Sequence, residues 1–257
     1  MKKPLIIIAG PCLVESRDML FEVAYVLNNI LQDLNVKFYF KASYRKANRS
    51  SVKSFTGIGD EEALGFIKEV GAEYQIPVLT DVHSPTEAAK AADYVDALQI
   101  PAFLCRQTEL IQAAAETGKT INIKKGQFAA PDDMEKAIFK AVEAGNNDIW
   151  ITERGTTFGY HDLVVDFRSF LIMKSYGYPV IYDATHSLQK PSIGQESGGS
   201  PEFIIPLAKA AIATGVDGIF FETHPDPKSA KSDSATQLPL NKAKEMCEQI
   251  MKIYEVS

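Results

Sequence analysis

The sequence is poor in cysteine: Cys12, Cys105 and Cys247 are an odd, widely separated set with no C-x-x-C pair. That argues against a disulfide framework and for a reducing compartment. It has no excess of base. The net charge is −6 and the pI near 5.3, so no global positive field recruits nucleic acid or an anionic membrane. No apolar run approaches the ~20 residues that span a bilayer. The run at residues 5–9, behind Lys2 and Lys3, falls short of the ~7–15 residues of a secretory signal core, and Gly10-Pro11 stops it. Internal repeats, low-complexity tracts and domain linkers are missing as well. So is the glycine-rich dinucleotide turn after a first strand, where Ala9-Gly10-Pro11-Cys12 stands instead. These absences leave a soluble cytoplasmic protein, and 257 residues with 46% apolar content suffice for a large core without staples.

What the chain does have is alternation. Short runs rich in Ile, Val, Phe and Tyr lie at 5–10, 36–42, 77–82, 97–102, 120–125, 148–154, 179–185 and 218–223. They show little polar alternation, as parallel strands covered on both faces do. Amphipathic stretches separate them. Met19, Leu20, Val23, Leu27, Ile30 and Leu31 make one apolar face; Leu240, Ala243, Met246, Ile250 and Tyr254 make another. Ser84-Pro85-Thr86-Glu87 reads as an N-cap serine, a first-position proline and a capping-box glutamate, and Pro131 opens a helix in the same manner. Eight β-α alternations predict a single (β/α)8 TIM barrel domain over residues 1–257, with an open doubly wound sheet as the rival. The long connections 43–59, 187–200 and 225–239 have the length of lids or binding loops.

In such a barrel the C-terminal strand ends share one mouth, where active sites sit. The residues at those ends are Cys12, Lys41, Asp81, His83, Gln99, Lys124, Arg154, His186, Glu222 and His224. A purely structural role predicts small or apolar residues there. This set binds anions, moves protons or ligates metal, so an enzyme is expected. The second loop carries Lys41, Arg45, Lys46, Arg49 and Lys53 and no acid. Alone, such a cluster is a solvated basic loop. Beside Lys124 and Arg154 it reads as a site for phosphate and carboxylate groups. Cys12, His186, Glu222 and Asp233 offer a donor set for a divalent ion such as zinc, ferrous iron or manganese. None has a local ligand spacing, and on spacing alone a buried inert cysteine is the stronger reading of Cys12. His83 and His224 could equally be satisfied barrel histidines, and His161 is assigned no role.

Several long motifs then carry a resemblance across essentially the whole chain. They are Lys41-Ala42-Ser43, Lys46-Ala47-Asn48-Arg49-Ser50-Ser51, Gln99-Ile100-Pro101-Ala102-Phe103-Leu104-Cys105-Arg106-Gln107-Thr108 and Lys124-Lys125-Gly126-Gln127-Phe128. Glu153-Arg154-Gly155, Asp183-Ala184-Thr185-His186 and Glu222-Thr223-His224-Pro225 complete the set. Together they resemble the 3-deoxy-D-manno-octulosonate 8-phosphate synthase family. The resemblance implies condensation of phosphoenolpyruvate with arabinose 5-phosphate, releasing phosphate, on the way to the lipopolysaccharide inner core. It implies that Lys41, Ser43, Lys46, Gln99, Lys124 and Arg154 hold phosphoenolpyruvate. Asn48, Arg49, Ser50 and Ser197 hold the pentose phosphate, with Pro101 and Phe103 shaping its channel. Asp81 and His83 would handle the attacking water and Lys46 donate a proton.

The family has metal-dependent and metal-independent groups. Cys12, where the second group has asparagine, together with Ser232-Asp233 and Lys125-Gly126-Gln127, is similar to the metal-dependent one. That reverses the reading of Cys12 from spacing alone. Arg45, Lys53 and Thr56 depart from the pattern, which there favours aspartate, histidine and arginine. The resemblance also implies a homotetramer. Two other activities compete: the sister synthase that uses erythrose 4-phosphate, whose Lys-Pro-Arg-Thr/Ser motif is absent here, and a Schiff-base aldolase acting through Lys41 or Lys124. A catalytically silent barrel that only binds sugar phosphates would have lost some mouth residues, and none is missing.

Overall fold

The computed structural model describes residues 2–48, 54–190 and 198–257. Its centre is a ring of eight parallel strands: β1 (Leu5–Gly10), β2 (Val36–Lys41), β3 (Val78–Asp81), β4 (Ala97–Ile100), β5 (Thr120–Lys124), β6 (Ile149–Glu153), β7 (Val180–Asp183) and β8 (Gly218–His224). Neighbours in sequence pair in space, and β8 pairs back onto β1 through Ile6–Gly218 to Gly10–Glu222, which closes the ring. Outside it run α1 (Arg17–Leu31), α2 (Asp60–Tyr74), α3 (Pro85–Ala92), α4 (Thr108–Glu116), α5 (Met134–Glu143), α6 (Arg168–Lys174), α7 (Ile204–Ala213) and α8 (Ala243–Val256). The expected (β/α)8 barrel is the fold. No helix among the described residues is long and apolar enough to cross a membrane.

Period-two alternation along buried strands sends side chains alternately outward and inward. The outward set, with Ile7, Phe38, Phe40, Leu98, Ile121, Ile151 and Phe221, packs against the helices in one large cluster. The inward set, Ile8, Tyr39, Leu79, Ala97, Trp150, Ile181 and Phe220, forms a separate apolar plug in the barrel. Above the plug the inward positions turn polar, and these form the mouth. Gly10 is required where β1 reaches that mouth. A Cβ there would stand 2.1 Å from the Lys41 carbonyl oxygen, which belongs to the neighbouring backbone and cannot move aside.

Most strands are shorter than their apolar runs, for a local reason. Pro77 and Pro179 accept ladder hydrogen bonds, from Phe40 N at 2.9 Å and Ile151 N at 3.0 Å, but have no N–H to return. At the other ends Ala42, Val82 and Ala184 follow Lys41, Asp81 and Asp183, which turn into the mouth. The capping motif of α3 also differs from expectation. Ser84 caps the helix by accepting from Glu87 N at 3.3 Å, with Pro85 in the first turn. The Glu87 carboxylate instead accepts from His83 N at 3.0 Å, one residue short of the box. Pro131 opens a 3-10 turn (Pro131–Asp133) that leads into α5. After β6 the chain makes an exposed hairpin, Thr156–Gly159 against Asp162–Val164, that the sequence pattern did not suggest. His161 turns it, with φ of 58°.

Candidate active site

Strand ends place Lys41, Asp81, Gln99, Lys124, Asp183 and Glu222 around the mouth, and the connections that follow add Cys12, Ser43, Arg154, His186, Gln189 and Asp233. Lys41 Nζ lies 3.0 Å from Glu222 Oε1, 3.0 Å from Ser43 Oγ and 3.4 Å from Asp81 Oδ1. Ser43 Oγ donates to the same Asp81 oxygen at 2.7 Å. Lys124 Nζ donates to Asp183 Oδ2 at 2.5 Å and sits 3.6 Å above the Phe220 ring, where the ring face attracts the cation. Arg154 donates to Gln189 Oε1 at 2.8 Å. Gln189 Nε2 in turn donates to Asp233 Oδ1 at 3.1 Å.

The basic residues named from the sequence suggested a positive cleft. The structure balances it. Among the described residues, Lys41, Lys46, Lys124 and Arg154 face the carboxylates of Asp81, Asp183, Glu222 and Asp233. Burial opposes ionisation; opposite charges outweigh it at Asp81, Asp183, Glu222, Lys41 and Lys46, whereas burial prevails at Lys124 and Arg154. Glu222 is held down to about 2 against burial by His186, Lys41, Lys46 and Lys124. Asp81 is lowered against burial by Lys41 and His83. Lys46 is raised, burial being outweighed by Cys12, Glu222, Asp81 and Asp233. Lys124 is lowered by burial and by Lys41, with Asp183 and Glu222 opposing.

One corner of the mouth is a donor cluster. The ligand atoms of Cys12, Glu222 and Asp233 lie within 4.8 Å of one another. His186 Nε2 is 3.5 Å from Glu222 Oε2 and 3.9 Å from Asp233 Oδ2. The other ring nitrogen, Nδ1, sits 2.8 Å from Asp183 Oδ2. A proton shared there turns the Nε2 lone pair toward the cluster, the usual arrangement of a ligating histidine with a carboxylate behind it. Glu222 Oε2 is buried and has no hydrogen-bond partner among the described residues, a costly state for an anion. Cys12 Sγ contacts Ser232 Oγ at 3.0 Å and Asp233 Oδ2 at 3.1 Å. Burial, then Glu222, pushes its thiol well above the ordinary range. These four side chains fit a divalent metal: a thiol, an imidazole nitrogen and two carboxylates, one of them an orphan.

A second network joins two loops. His83 lies between carboxylates, Nε2 3.4 Å from Asp81 Oδ2 and Nδ1 2.9 Å from Glu87 Oε2. Burial opposes its protonation, but the two carboxylates prevail and raise it. Glu87 also accepts from Tyr44 Oη at 2.5 Å and from Arg45, which lies 3.7 Å from Asp60 as well. Arg45, a departure from the family pattern, therefore braces the second loop against α3.

Of the other residues named from the sequence, Lys46 is fixed at its backbone by donation to Thr56 O at 2.9 Å, and Asn48 is exposed beside it. Pro101 and Phe103 stand on the rim, Phe103 58% exposed on a 3-10 turn. Arg49, Ser50, Lys53 and Ser197 lie outside the described residues. His224 is buried and accepts from Asp226 N at 3.1 Å through Nδ1, a loop-pinning contact away from the donor cluster. Sequence reasoning gave no individual site role to Asp183 or Gln189, read Glu87 only as a helix-cap residue, and named Ser232 only within the Ser232-Asp233 resemblance. Asp183 stands three residues before His186 at a strand end, a spacing that could have marked it; Gln189 sits in the connection after β7, where nothing local marks it.

The family model described as "DAHP synthetase I family" matches residues 1–256. The chain is 50% identical over 255 residues to the 2-dehydro-3-deoxyphosphooctonate aldolase of Koribacter versatilis, covering 98% of this chain and 91% of that one. It is 49% identical over 256 residues to the protein of that name from Protochlamydia amoebophila, covering 99% and 93%. For the one from Trichlorobacter lovleyi the figures are 52% over 237 residues, 92% and 87%.

Proposed function

The chain belongs to the DAHP synthetase I family, and from that premise we propose that it joins phosphoenolpyruvate to D-arabinose 5-phosphate with water, giving 3-deoxy-D-manno-octulosonate 8-phosphate and phosphate. The family's description covers the sister reaction with erythrose 4-phosphate. The shared name of the relatives at about half identity favours the eight-carbon product. The observation that carries the chemistry is the buried mouth in which Lys41, Lys124 and Arg154 converge.

In this reaction the enol carbon of phosphoenolpyruvate forms a bond to the aldehyde carbon, and the aldehyde oxygen takes up a proton. Water adds to the electron-poor carbon left behind, and the phosphate departs with its bridging oxygen. Lys41, Ser43, Lys46, Gln99, Lys124 and Arg154 hold phosphoenolpyruvate, whose carboxylate and phosphate need several fixed cations in a dry cleft. Lys46, held protonated, donates to the aldehyde oxygen. Asp81 takes a proton from the water, with His83 hydrogen-bonded behind it. Asn48, Arg49, Ser50 and Ser197 hold the pentose phosphate, and Pro101 and Phe103 shape its path.

Charge balance supports a metal. Because Lys41, Lys46, Lys124 and Arg154 already face four carboxylates among the described residues, a ligand bearing both a carboxylate and a phosphate calls for further positive charge. Cys12, His186, Glu222 and Asp233 would hold a divalent ion, zinc, ferrous iron or manganese among them, whose double charge offsets these acids and frees Lys41 for substrate. When bound, it supplies a Lewis acid and holds the Cys12 sulfur as thiolate. The protein works in the cytoplasm as a homotetramer.

The test is phosphate release from phosphoenolpyruvate with each aldehyde, with and without chelator. Release that requires arabinose 5-phosphate, stops on chelation and returns with added metal is expected. Release only with erythrose 4-phosphate overturns the substrate, and release indifferent to chelation overturns the metal.

A further inference from the structure

Between the charged mouth and the apolar plug lie three neutral polar side chains on consecutive strands: Gln99 on β4, Asn122 on β5 and Thr152 on β6. They are 3%, 0% and 0% exposed. Gln99 and Asn122 are direct partners in the ladder between β4 and β5. Thr152 Oγ1 donates to Asn122 Oδ1 at 2.6 Å, and Asn122 Nδ2 donates to Gln99 Oε1 at 3.1 Å.

The chain of bonds has one favoured direction. A hydroxyl proton needs an acceptor, and among the described residues Asn122 Oδ1 is the one that Thr152 reaches. Asn122 must then show its oxygen to Thr152 and its NH2 to Gln99. That engages the Gln99 carbonyl and leaves the Gln99 NH2 for the mouth. In the reverse direction Thr152 loses its acceptor and Gln99 shows a carbonyl upward. The direction matters because of what surrounds it. Lys41 and Lys124 line the same mouth, and an unrestrained amide beside ammonium groups turns its oxygen toward them. An oxygen facing up would meet the carboxylate of a ligand as a second acceptor.

We propose that Asn122 and Thr152 are positioning residues that lock the Gln99 amide with its NH2 toward the mouth, making it a donor reserved for a carboxylate-bearing ligand. The proposal rests on Gln99 contacting phosphoenolpyruvate, as put forward above.

Four variants test it: Thr152→Val, which keeps the shape and removes the hydroxyl; Thr152→Ser, which keeps the hydroxyl; Asn122→Leu; and Gln99→Leu. For each, phosphoenolpyruvate binding is measured by calorimetry on the metal-loaded protein, with KM, kcat and the thermal midpoint alongside. Losing one oriented neutral hydrogen bond predicts roughly three- to tenfold weaker binding in Thr152→Val and Asn122→Leu, with kcat nearly kept. Thr152→Ser is expected to restore the affinity. If Thr152→Val and Asn122→Leu lower only the midpoint while binding stays as in the parent, the two residues are structural and the proposal falls. If Gln99→Leu weakens binding but the other variants do not, the relay alone fails. If Gln99→Leu itself binds normally, Gln99 is no ligand contact, and that failure belongs to the site assignment beneath the proposal.

Discussion

Behind the mouth, Lys125 and Glu153 form an ion pair that water does not reach, 0% and 1% exposed with Nζ and Oε1 3.4 Å apart. Lys125 Nζ also donates to Thr156 Oγ1 at 2.9 Å, Ala129 O at 3.2 Å and Gly126 O at 3.3 Å. Lys125→Met fills nearly the same volume but leaves the Glu153 carboxylate buried with Gly155 N, at 2.7 Å, as its donor. Breaking a buried pair from one side costs about 3–5 kcal/mol, because a charge is stranded. The 3.4 Å separation is longer than the ~2.7–2.9 Å of a direct charge-assisted bond, which places the loss near the lower end, about 3 kcal/mol. For a chain of this size that lowers the midpoint by roughly 6–12 °C. Urea unfolding followed by the fluorescence of Trp150, the one tryptophan, buried in the apolar plug, reads the change directly. Adding Glu153→Gln removes the stranded charge while keeping an acceptor for Gly155, so the double variant should recover at least half the loss. A single variant within about 1 kcal/mol of the parent, or a double variant weaker than the single, refutes the reasoning.

Gly10→Ala should fail to accumulate as folded protein, since the new Cβ meets the Lys41 carbonyl oxygen at 2.1 Å; a soluble variant with the parental midpoint on thermal unfolding would contradict this. His83 is raised in the fold from its ordinary 6.5, burial opposing and Asp81 and Glu87 prevailing. Its stabilisation is therefore complete below that pH and fades as pH rises through the raised value. The stability gap between the parent and His83→Gln, measured by urea unfolding across pH 5.5 to about 9, should shrink toward the alkaline end; a gap that is flat or grows would reverse the assignment. Arg45→Ala removes the brace between the second loop and α3 at a half-exposed site, so stability should fall by no more than about 1 kcal/mol. The KM for the pentose phosphate should still rise several-fold in steady-state kinetics while kcat holds, and an unchanged KM would show the brace to be idle.

The barrel was legible because its information is periodic. Runs such as Leu5–Gly10 are continuous in sequence and apolar on both faces, and eight short runs between amphipathic stretches have few three-dimensional solutions. Cys12, His186, Glu222 and Asp233 were harder to join from spacing, because they come from the last strand and three separate connections; family resemblance joined them, and the barrel then brought them close. The charge balance of the mouth was legible in composition but not in place. Asp183 and Glu222 stand in plain view in the sequence, yet only geometry shows that each answers a particular lysine. Glu87 was assigned to a helix cap, and its contacts with Tyr44, Arg45 and His83 reach across loops that no local pattern connects. The hairpin at Thr156–Gly159 is exposed, so no hydrophobic alternation announces it.

The closure of the ring by β1 against β8 has a consequence for how the chain is made. A ribosome releases β1 first and β8 more than 200 residues later. At about 5–20 residues per second, β1 waits ten seconds or more with one edge unpaired. During that interval Leu5, Ile7 and Ile8, all fully buried in the finished ring, belong to an open sheet edge that can pair with another nascent chain. Crowding several ribosomes on one message, or slowing elongation within the last third of the coding sequence, should therefore lower the soluble yield without altering the finished protein.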